Sequence, residues 1–294
     1  MDKRKKCALF ILLGQSNAVG HGVPMAEEDK VHQPMQNVFG LSREKNQSLD
    51  GTALVWEGYT TAGMNLAEEQ DDTYSLANLL AKRWQAEIEG GAPLPDLYII
   101  HIAIGAQGVC RRYMWNPDRA PVLVPGALSR VDISLYPFTE HILSLVAEDF
   151  EKRGEEYEVI GLHWRGGEND TVPEMEELER ELFDIYTRIF DGFERKIGKY
   201  PLILHKIVCP DRCLDMDPTG GKLQRMHYIN ATFARLLSRY EGAEIFDATR
   251  APQYIEGVRG SGLFIGDCVH YTPEVNDWVA SEILMRYKKE RGIG

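Results

Sequence analysis

Short apolar runs recur along the chain and predict buried β-strands. Each run contains Ile, Val or Leu, as is typical of strands that are covered on both faces of a parallel sheet. The five predicted strands are Cys7–Leu13, Leu97–Ile104, Glu158–Trp164, Leu202–Val208 and Glu244–Asp247.

Between these runs, apolar residues recur at the three-residue and four-residue spacing of a helix face. The stripes predict three helices, over residues 76–88, 178–193 and 223–237. The order Thr272-Pro-Glu274 combines a cap, a first-turn proline and an acid, which is the order that a helix N-terminus prefers. A last helix is therefore predicted from there to about Arg286.

Strands that alternate with helices imply right-handed crossovers and a mostly parallel sheet with helices on both faces. No internal repeat or low-complexity linker divides the sequence, so we expect one domain over residues 1–294. Two long segments of mixed composition, 21–72 and 109–129, are predicted to be loops over a site. Ligands of open α/β sheets collect beyond the carboxyl ends of the strands, which is where chemistry should be sought.

The net charge of the chain disfavours polyanionic partners. The chain has 33 Lys and Arg against 45 Asp and Glu, a formal net charge of −12. This charge repels nucleic acid and anionic membranes, and no basic stripe offsets it. Lys3-Arg-Lys-Lys6 followed by an apolar run imitates a secretory signal, but the run is only seven residues long. No run approaches the roughly 18–20 apolar residues of a membrane span, so we expect a cytoplasmic protein.

The cysteines are few and odd in number, which does not resemble a disulfide framework. We therefore expect reduced, structural thiols. A zinc site is disfavoured because the one closely spaced pair, Cys209 and Cys213, has no second pair at a recognisable spacing. The five cysteines are Cys7, Cys110, Cys209, Cys213 and Cys268.

Residues suited to nucleophilic catalysis lie at the ends of the predicted strands. Ser16 follows the first strand, and Asp267 and His270 precede the last helix. A serine hydroxyl becomes a good nucleophile when a histidine takes its proton, and a carboxylate orients that histidine and stabilises its charged form. The spacing Asp-x-x-His lets acid and imidazole face each other on one turn. The attack creates a negatively charged oxygen, the oxyanion, which needs hydrogen-bond donors. Glycine N–H groups at strand ends and an Asn side chain are suitable donors.

Four blocks of sequence resemble the SGNH hydrolases, in particular the carbohydrate esterases related to sialate O-acetylesterases and acetylxylan esterases. Gly14-Gln-Ser-Asn-Ala-Val-Gly20 is similar to the block that carries the nucleophilic serine. The segment from Ile104 to Trp115 is similar to the block whose glycine donates to the oxyanion. Trp164-Arg-Gly-Gly-Glu-Asn-Asp170 is in register with Trp-His-Gln-Gly-Glu-Ser-Asp, and Asp267-Cys-Val-His270-Tyr-Thr with Asp-Gly-Val-His-Tyr-Thr.

The resemblance implies a flavodoxin-like fold, a three-layer α/β/α sandwich around a mostly parallel five-stranded sheet. It implies a serine esterase that removes O-acetyl groups from small sugars or oligosaccharides, without metal or cofactor. A broad small-ester hydrolase of the same fold and a catalytically silent carbohydrate-binding protein are the alternatives. Loop aromatics available to stack on a sugar ring are Trp56, Tyr59, Tyr113 and Trp115.

The resemblance also implies roles for individual residues. Ser16 is the expected nucleophile and His270 the expected base. Asp267 is favoured as the partner of His270 by its local spacing, while Glu168 is an alternative because some relatives use the glutamate of the third block. Asn169 stands where the carbohydrate branch has Ser, which restores the Gly-x-Asn-Asp form of the wider family. The expected oxyanion donors are the N–H groups of Ser16 and Gly105 and the amide of Asn169.

Overall fold

The longest apolar runs of the sequence form the middle of a seven-stranded sheet. The computed structural model describes residues 5–46, 54–110, 112–119, 134–171, 181–208 and 221–294. Its strands are β1 (Lys6–Gly14), β2 (Val38–Leu41), β3 (Trp56–Gly58), β4 (Leu97–Ala103), β5 (Glu156–Arg165), β6 (Leu202–His205) and β7 (Glu244–Phe246). The strand order is β3-β2-β4-β1-β5-β6-β7, and β3 alone runs antiparallel to its neighbour.

All five predicted strands are present, as β1, β4, β5, β6 and β7, but the prediction of a five-stranded sheet is wrong. The segment predicted to be a loop contributes the edge strands β2 and β3, which are only four and three residues long. Their brevity and the Gly40 within β2 leave no apolar run to detect. Counted without this edge pair, the strand order is 2-1-3-4-5, which is the order of flavodoxin-like sheets.

Six α-helices occur in the described parts of the chain. They are α1 (Ser16–Val19), α2 (Leu76–Glu89), α3 (Leu135–Arg153), α4 (Leu182–Ile197), α5 (Gly221–Leu237) and α6 (Pro273–Glu290). The predicted helices correspond to α2, α4, α5 and α6, and the side chain of Thr272 caps α6 by accepting from the Val275 N–H. Leu178, where the second stripe begins, lies outside the described residues. None of the described helices combines the length and the apolarity that crossing a membrane requires.

Helices cover both faces of the sheet, as the alternation of side chains along β1 shows. Leu9, Ile11 and Leu13 point to one side, where they join a buried cluster with residues of α3, α4 and α5. Phe10 and Leu12 point to the other side, where they join residues of α2 and α6. Because successive side chains of a strand face opposite sides, one apolar run supplies both cores of a three-layer sandwich.

The cysteines depart in part from the expectation of reduced thiols. Cys7 and Cys110 are free and buried, in keeping with structural thiols. Cys268 is disulfide-bonded, so the prediction is wrong at this position. Cys209 and Cys213 lie outside the described residues. A count of cysteines does not tell which thiols a fold brings within bonding distance.

Candidate active site

The carboxyl ends of β4, β1 and β5 meet at one edge of the sheet. The strand register pairs Gly14 with Ala103 on one side and with Arg165 on the other. The three blocks that follow these strands, which carry Ser16, Gly105 and Glu168, therefore begin at the same level. Parallel pairing thus gathers residues that are far apart in sequence into one place.

A tight turn places Ser16 directly above this edge. Gly14 has a φ of +142°, and a Cβ at that position would lie 2.0 Å from the carbonyl oxygen of Arg165. The Gln15 N–H donates to the same carbonyl oxygen at 2.9 Å. Ser16 is then the first residue of α1 and is 6% exposed. The close approach of β1 and β5 requires glycine at residue 14 and fixes the position of the serine.

Asp267 and His270 form a hydrogen-bonded couple on the loop before α6. Asp267 Oδ2 lies 2.6 Å from His270 Nδ1, and Oδ1 accepts the backbone N–H groups of Val269 and His270 at 2.9 and 3.0 Å. Burial raises the pKa of Asp267, but these hydrogen bonds outweigh it and hold the pKa below its usual value. Because a carboxylate only accepts, Nδ1 carries the hydrogen, and Nε2 of the neutral ring is left as a base.

Asn17, the residue after Ser16, holds the loop that carries this couple. Its Nδ2 donates to the carbonyl oxygen of Val269 at 3.1 Å, and its Oδ1 accepts the Tyr271 N–H at 3.2 Å. The backbone on both sides of His270 is therefore bonded to the neighbour of the serine. Between the described residues themselves, no hydrogen bond joins Ser16 Oγ to the His270 ring; such contacts are often long in a free enzyme and tighten with substrate.

Glu168 contacts Asn17 rather than His270. Glu168 Oε1 accepts from Asn17 Nδ2 at 2.9 Å, whereas Asp267 occupies Nδ1 of the histidine. The carboxylate of Glu168 thus supports Asn17, which in turn supports the loop. The two acids that the sequence left as alternatives have different partners. Asp267 is hydrogen-bonded to the His270 ring, whereas Glu168 is hydrogen-bonded to the side chain of Asn17.

The three expected oxyanion donors differ in how they are occupied. The Gly105 N–H donates to Glu68 Oε2 at 2.6 Å, so it serves an oxyanion only if Glu68 moves away. In contrast, the Asn169 amide is half-buried and makes no hydrogen bond with any described residue. The Ser16 N–H is likewise unbonded within the described ranges. The Ser16 N–H and the Asn169 amide are therefore available to an oxyanion, whereas the Gly105 N–H is bonded to a carboxylate.

Asp170 ties the second and third blocks together. It is 1% exposed, and its carboxylate accepts the N–H groups of Val109 and Cys110 at 3.1 to 3.2 Å. Burial raises the pKa of Asp170, although these hydrogen bonds act in the opposite direction. A Cβ on Gly108 would lie 2.4 Å from Asp170 Oδ1, so glycine is needed for this approach. The loop after β4 is therefore anchored to the end of β5.

The sequence analysis missed a second pair of histidine and carboxylate at this site. His21 Nε2 lies 3.2 Å from Glu68 Oε1, and the His21 N–H donates to the carbonyl oxygen of Ser16 at 3.0 Å. The His21 ring lies over Gly105, and its centroid is 5.8 Å from that of His270. The position of His21 directly after the first block was a signal in the sequence, but nothing there pointed to Glu68, 47 residues further on.

Three of the four aromatic residues considered for sugar stacking have their rings buried or their polar atoms bonded to other parts of the protein. Trp115 is fully buried, and its Nε1 donates to the carbonyl oxygen of Gly14. Tyr59 is fully buried too, and Trp56 donates to Asp149. Of the four, Tyr113 alone is partly buried without such an anchor in the core.

A nucleophile, a histidine-carboxylate couple and open amide donors suit acyl transfer. In the ranges that the structure describes, no three His, Cys, Asp or Glu side chains come together as metal ligands. The side chains of Ser16, Asp267 and His270 offer acid-base and hydrogen-bonding chemistry.

Comparison with solved structures shows which known proteins have a similar fold. The chain aligns with the crystal structure of NanS at a TM-score of 0.62 and 13% identity, over 98% of this chain and 100% of that one. The chain shares the fold of NanS. A protein from Arabidopsis thaliana aligns at a TM-score of 0.56 and 16% identity, over 96% and 98% of the two chains. The sequence matches no protein-family model and no curated protein.

Proposed function

We propose that this chain is a serine esterase that removes O-acetyl groups from carbohydrates. One observation carries the proposal: the residue after Ser16 is hydrogen-bonded to both backbone neighbours of His270, whose ring is bonded to Asp267 at 2.6 Å. A nucleophile and a base with its orienting acid are thereby held on two elements that are directly connected. This is the arrangement that activates a serine hydroxyl.

In the first step, Ser16 Oγ attacks the ester carbonyl carbon while His270 Nε2 takes the hydroxyl proton. Asp267 keeps Nδ1 protonated and stabilises the imidazolium. The C–O bond to the alcohol then breaks, His270 returns the proton to the leaving oxygen, and the acetyl group stays on Ser16.

In the second step, water replaces the alcohol. His270 takes a proton from water as the water oxygen attacks the acetyl carbonyl, and the bond to Ser16 Oγ breaks with return of that proton to the serine. Acetate is released and the free enzyme is restored. Apart from the ester and water, both steps as written use only Ser16, His270 and Asp267.

The developing oxyanion requires donors in both steps. We assign this role to the Ser16 N–H and the Asn169 amide, which have no partner within the described residues. The Gly105 N–H joins them when Glu68 Oε2 releases it, while Glu68 Oε1 stays on His21. Removal of one such donor typically costs about 3–4 kcal/mol of transition-state stabilisation.

The acetylated sugar as substrate is supported by the resemblance of the four sequence blocks to those of carbohydrate esterases. A second candidate is a broad small-ester hydrolase. It is favoured by the burial of Trp115 and Tyr59, since an enzyme that stacks sugar rings needs exposed aromatic faces at its site.

Acetate release from a panel of esters tests both candidates. The panel contains acetylated xylo-oligosaccharides, O-acetylated sialic acid, glucose pentaacetate and p-nitrophenyl acetate, each with wild type and Ser16→Ala. Release from a sugar by wild type and none by the variant is the expected result. Cleavage of p-nitrophenyl acetate alone would favour the small-ester hydrolase, and equal activity of both proteins would overturn the serine mechanism.

A further inference from the structure

The second histidine at the site, His21, has a geometry that the two-step mechanism does not use. Its backbone is bonded to Ser16, its ring lies over Gly105, and its ring centroid is 5.8 Å from that of His270. It therefore lies among the three groups that surround the reacting ester. Its side chain is 19% exposed, so the ring is accessible from the site.

Glu68 determines how the ring presents its nitrogens. The carboxylate accepts from the Gly105 N–H at 2.6 Å and lies 3.2 Å from His21 Nε2. Since a carboxylate offers no hydrogen, Nε2 of the neutral ring carries it. Nδ1 then keeps a lone pair, and no described residue donates a hydrogen bond to it. The ring then offers one acceptor, Nδ1.

The position of the His21 ring indicates whether Nδ1 contacts the acyl half or the alcohol half of an ester. His270 delivers its proton to the leaving oxygen, so the group beside the His270 ring is the alcohol half of the substrate. The acetyl half of the ester has no hydroxyl to donate. A sugar, by contrast, carries hydroxyl groups next to the esterified oxygen.

We propose that His21, held by Glu68, accepts a hydrogen bond from a hydroxyl of the alcohol half and so selects esters of polyhydroxy alcohols. This inference rests on the proposed esterase function and names the feature of the substrate that the site recognises. His21 is a specificity residue here, and His270 remains the base.

The test compares two substrates that differ in whether the hydroxyls of the alcohol half can donate a hydrogen bond. They are a monoacetylated methyl xyloside and the same ester with its other hydroxyls O-methylated. The measured quantity is the ratio of kcat/KM for the hydroxylated ester to kcat/KM for the methylated one. We expect about a tenfold preference for the hydroxylated ester in wild type, the usual size of one neutral hydrogen bond. His21→Phe keeps a ring over Gly105 and should bring the ratio close to one.

A second variant covers the case in which His21→Phe fails to fold. Glu68→Gln keeps an oxygen for the Gly105 N–H but places an amide that can donate to Nε2, which moves the ring hydrogen to Nδ1. The ratio should fall in this variant as well. His32→Phe is the matched control, because His32 is also bonded to a glutamate, Glu27, but is 61% exposed. It should leave the ratio unchanged.

Two results would overturn the inference: a wild-type ratio close to one, or a His21→Phe ratio equal to that of wild type. In both cases hydrolysis by wild type and its loss in Ser16→Ala would leave the proposed function standing. If wild type hydrolyses neither ester, the proposed function and the inference fail together.

Discussion

The site contains two histidines, His270 and His21, each paired with a carboxylate and with ring centroids 5.8 Å apart. The partner of His270 is three residues away in the sequence, whereas the partner of His21 is 47 residues away. Asp267 Oδ2 lies 2.6 Å from Nδ1 of His270, and Asp267 Oδ1 accepts two backbone N–H groups. Glu68 lies 3.2 Å from its ring nitrogen and divides its oxygens between the ring and Gly105.

These differences indicate that the two pairs of histidine and carboxylate have different functions. The short, local pair is built to carry a charge, because its carboxylate is held ionised by several donors at once. The long-range pair ties the block after β1 to the loop after β4 and fixes a ring beside the substrate. Proton transfer and substrate selection are thus expected to reside in different histidines.

The largest effect should come from deletion of the base. His270→Ala should lower kcat on the order of 10⁵-fold, as expected when one member of a catalytic triad is removed. His21→Phe should cost about tenfold in kcat/KM on the hydroxylated sugar ester. Steady-state kinetics of the two variants on one acetylated sugar measure the contrast, and losses of similar size would erase the distinction between the pairs.

The next largest effect identifies the acid of the triad. Asp267→Asn should lower kcat on the order of 10⁴-fold, because the amide favours the wrong tautomer of His270. Glu168→Gln keeps an oxygen acceptor for Asn17 and should cost about tenfold or less. The two variants are nearly isosteric with wild type and serve as controls for each other. A greater loss in Glu168→Gln would transfer the role of the acid to Glu168.

A smaller effect is expected for the side-chain donor to the oxyanion. Asn169→Ala should lower kcat by about 10²–10³-fold, since the amide makes no hydrogen bond with a described residue and is available to the oxyanion. KM should change little, because the interaction forms in the transition state. Unchanged turnover of p-nitrophenyl acetate by Asn169→Ala would exclude this residue from the oxyanion hole.

The smallest contrast lies in pH dependence. The hydrogen bonds to Asp267 hold its pKa below the usual value, so this carboxylate keeps its charge as the pH falls to about 4, where a free aspartate begins to take a proton. Protonation of Asp267 should therefore not contribute to the acid side of the kcat/KM profile above about pH 4. The profile is measured with p-nitrophenyl acetate, which lacks the sugar hydroxyl that His21 is proposed to bind. An acid side that drops with a slope of two between pH 4 and 9 would contradict this expectation.

Much of the fold is visible in the sequence because it rests on local patterns. The apolar run of β1 and the cap at Thr272 are signals within a few residues, and the Asp-x-x-His spacing of the triad couple is equally local. The helix α3 has a local pattern too, in the helical spacing of Phe138, Ile142 and Leu145, although it is not among the predicted helices.

The features that were missed depend on contacts between distant segments. The strands β2 and β3 are stabilised by pairing with each other and with β4, since neither is long enough to show a pattern alone. The pairing of His21 with Glu68, and of the Gly105 N–H with the same carboxylate, arises only when the segment between β3 and α2, which carries Glu68, meets the segments after β1 and β4. Such contacts leave no spacing in the sequence.

The proposed mechanism requires Ser16 to carry the acyl group between the two steps. Acid quenching of wild type during turnover of p-nitrophenyl acetate, followed by peptide mass spectrometry, detects this group. We expect one acetyl group on Ser16 of wild type and none on the corresponding peptide of Ser16→Ala. Turnover with no acetyl group on Ser16, or with the group on another residue, would contradict it.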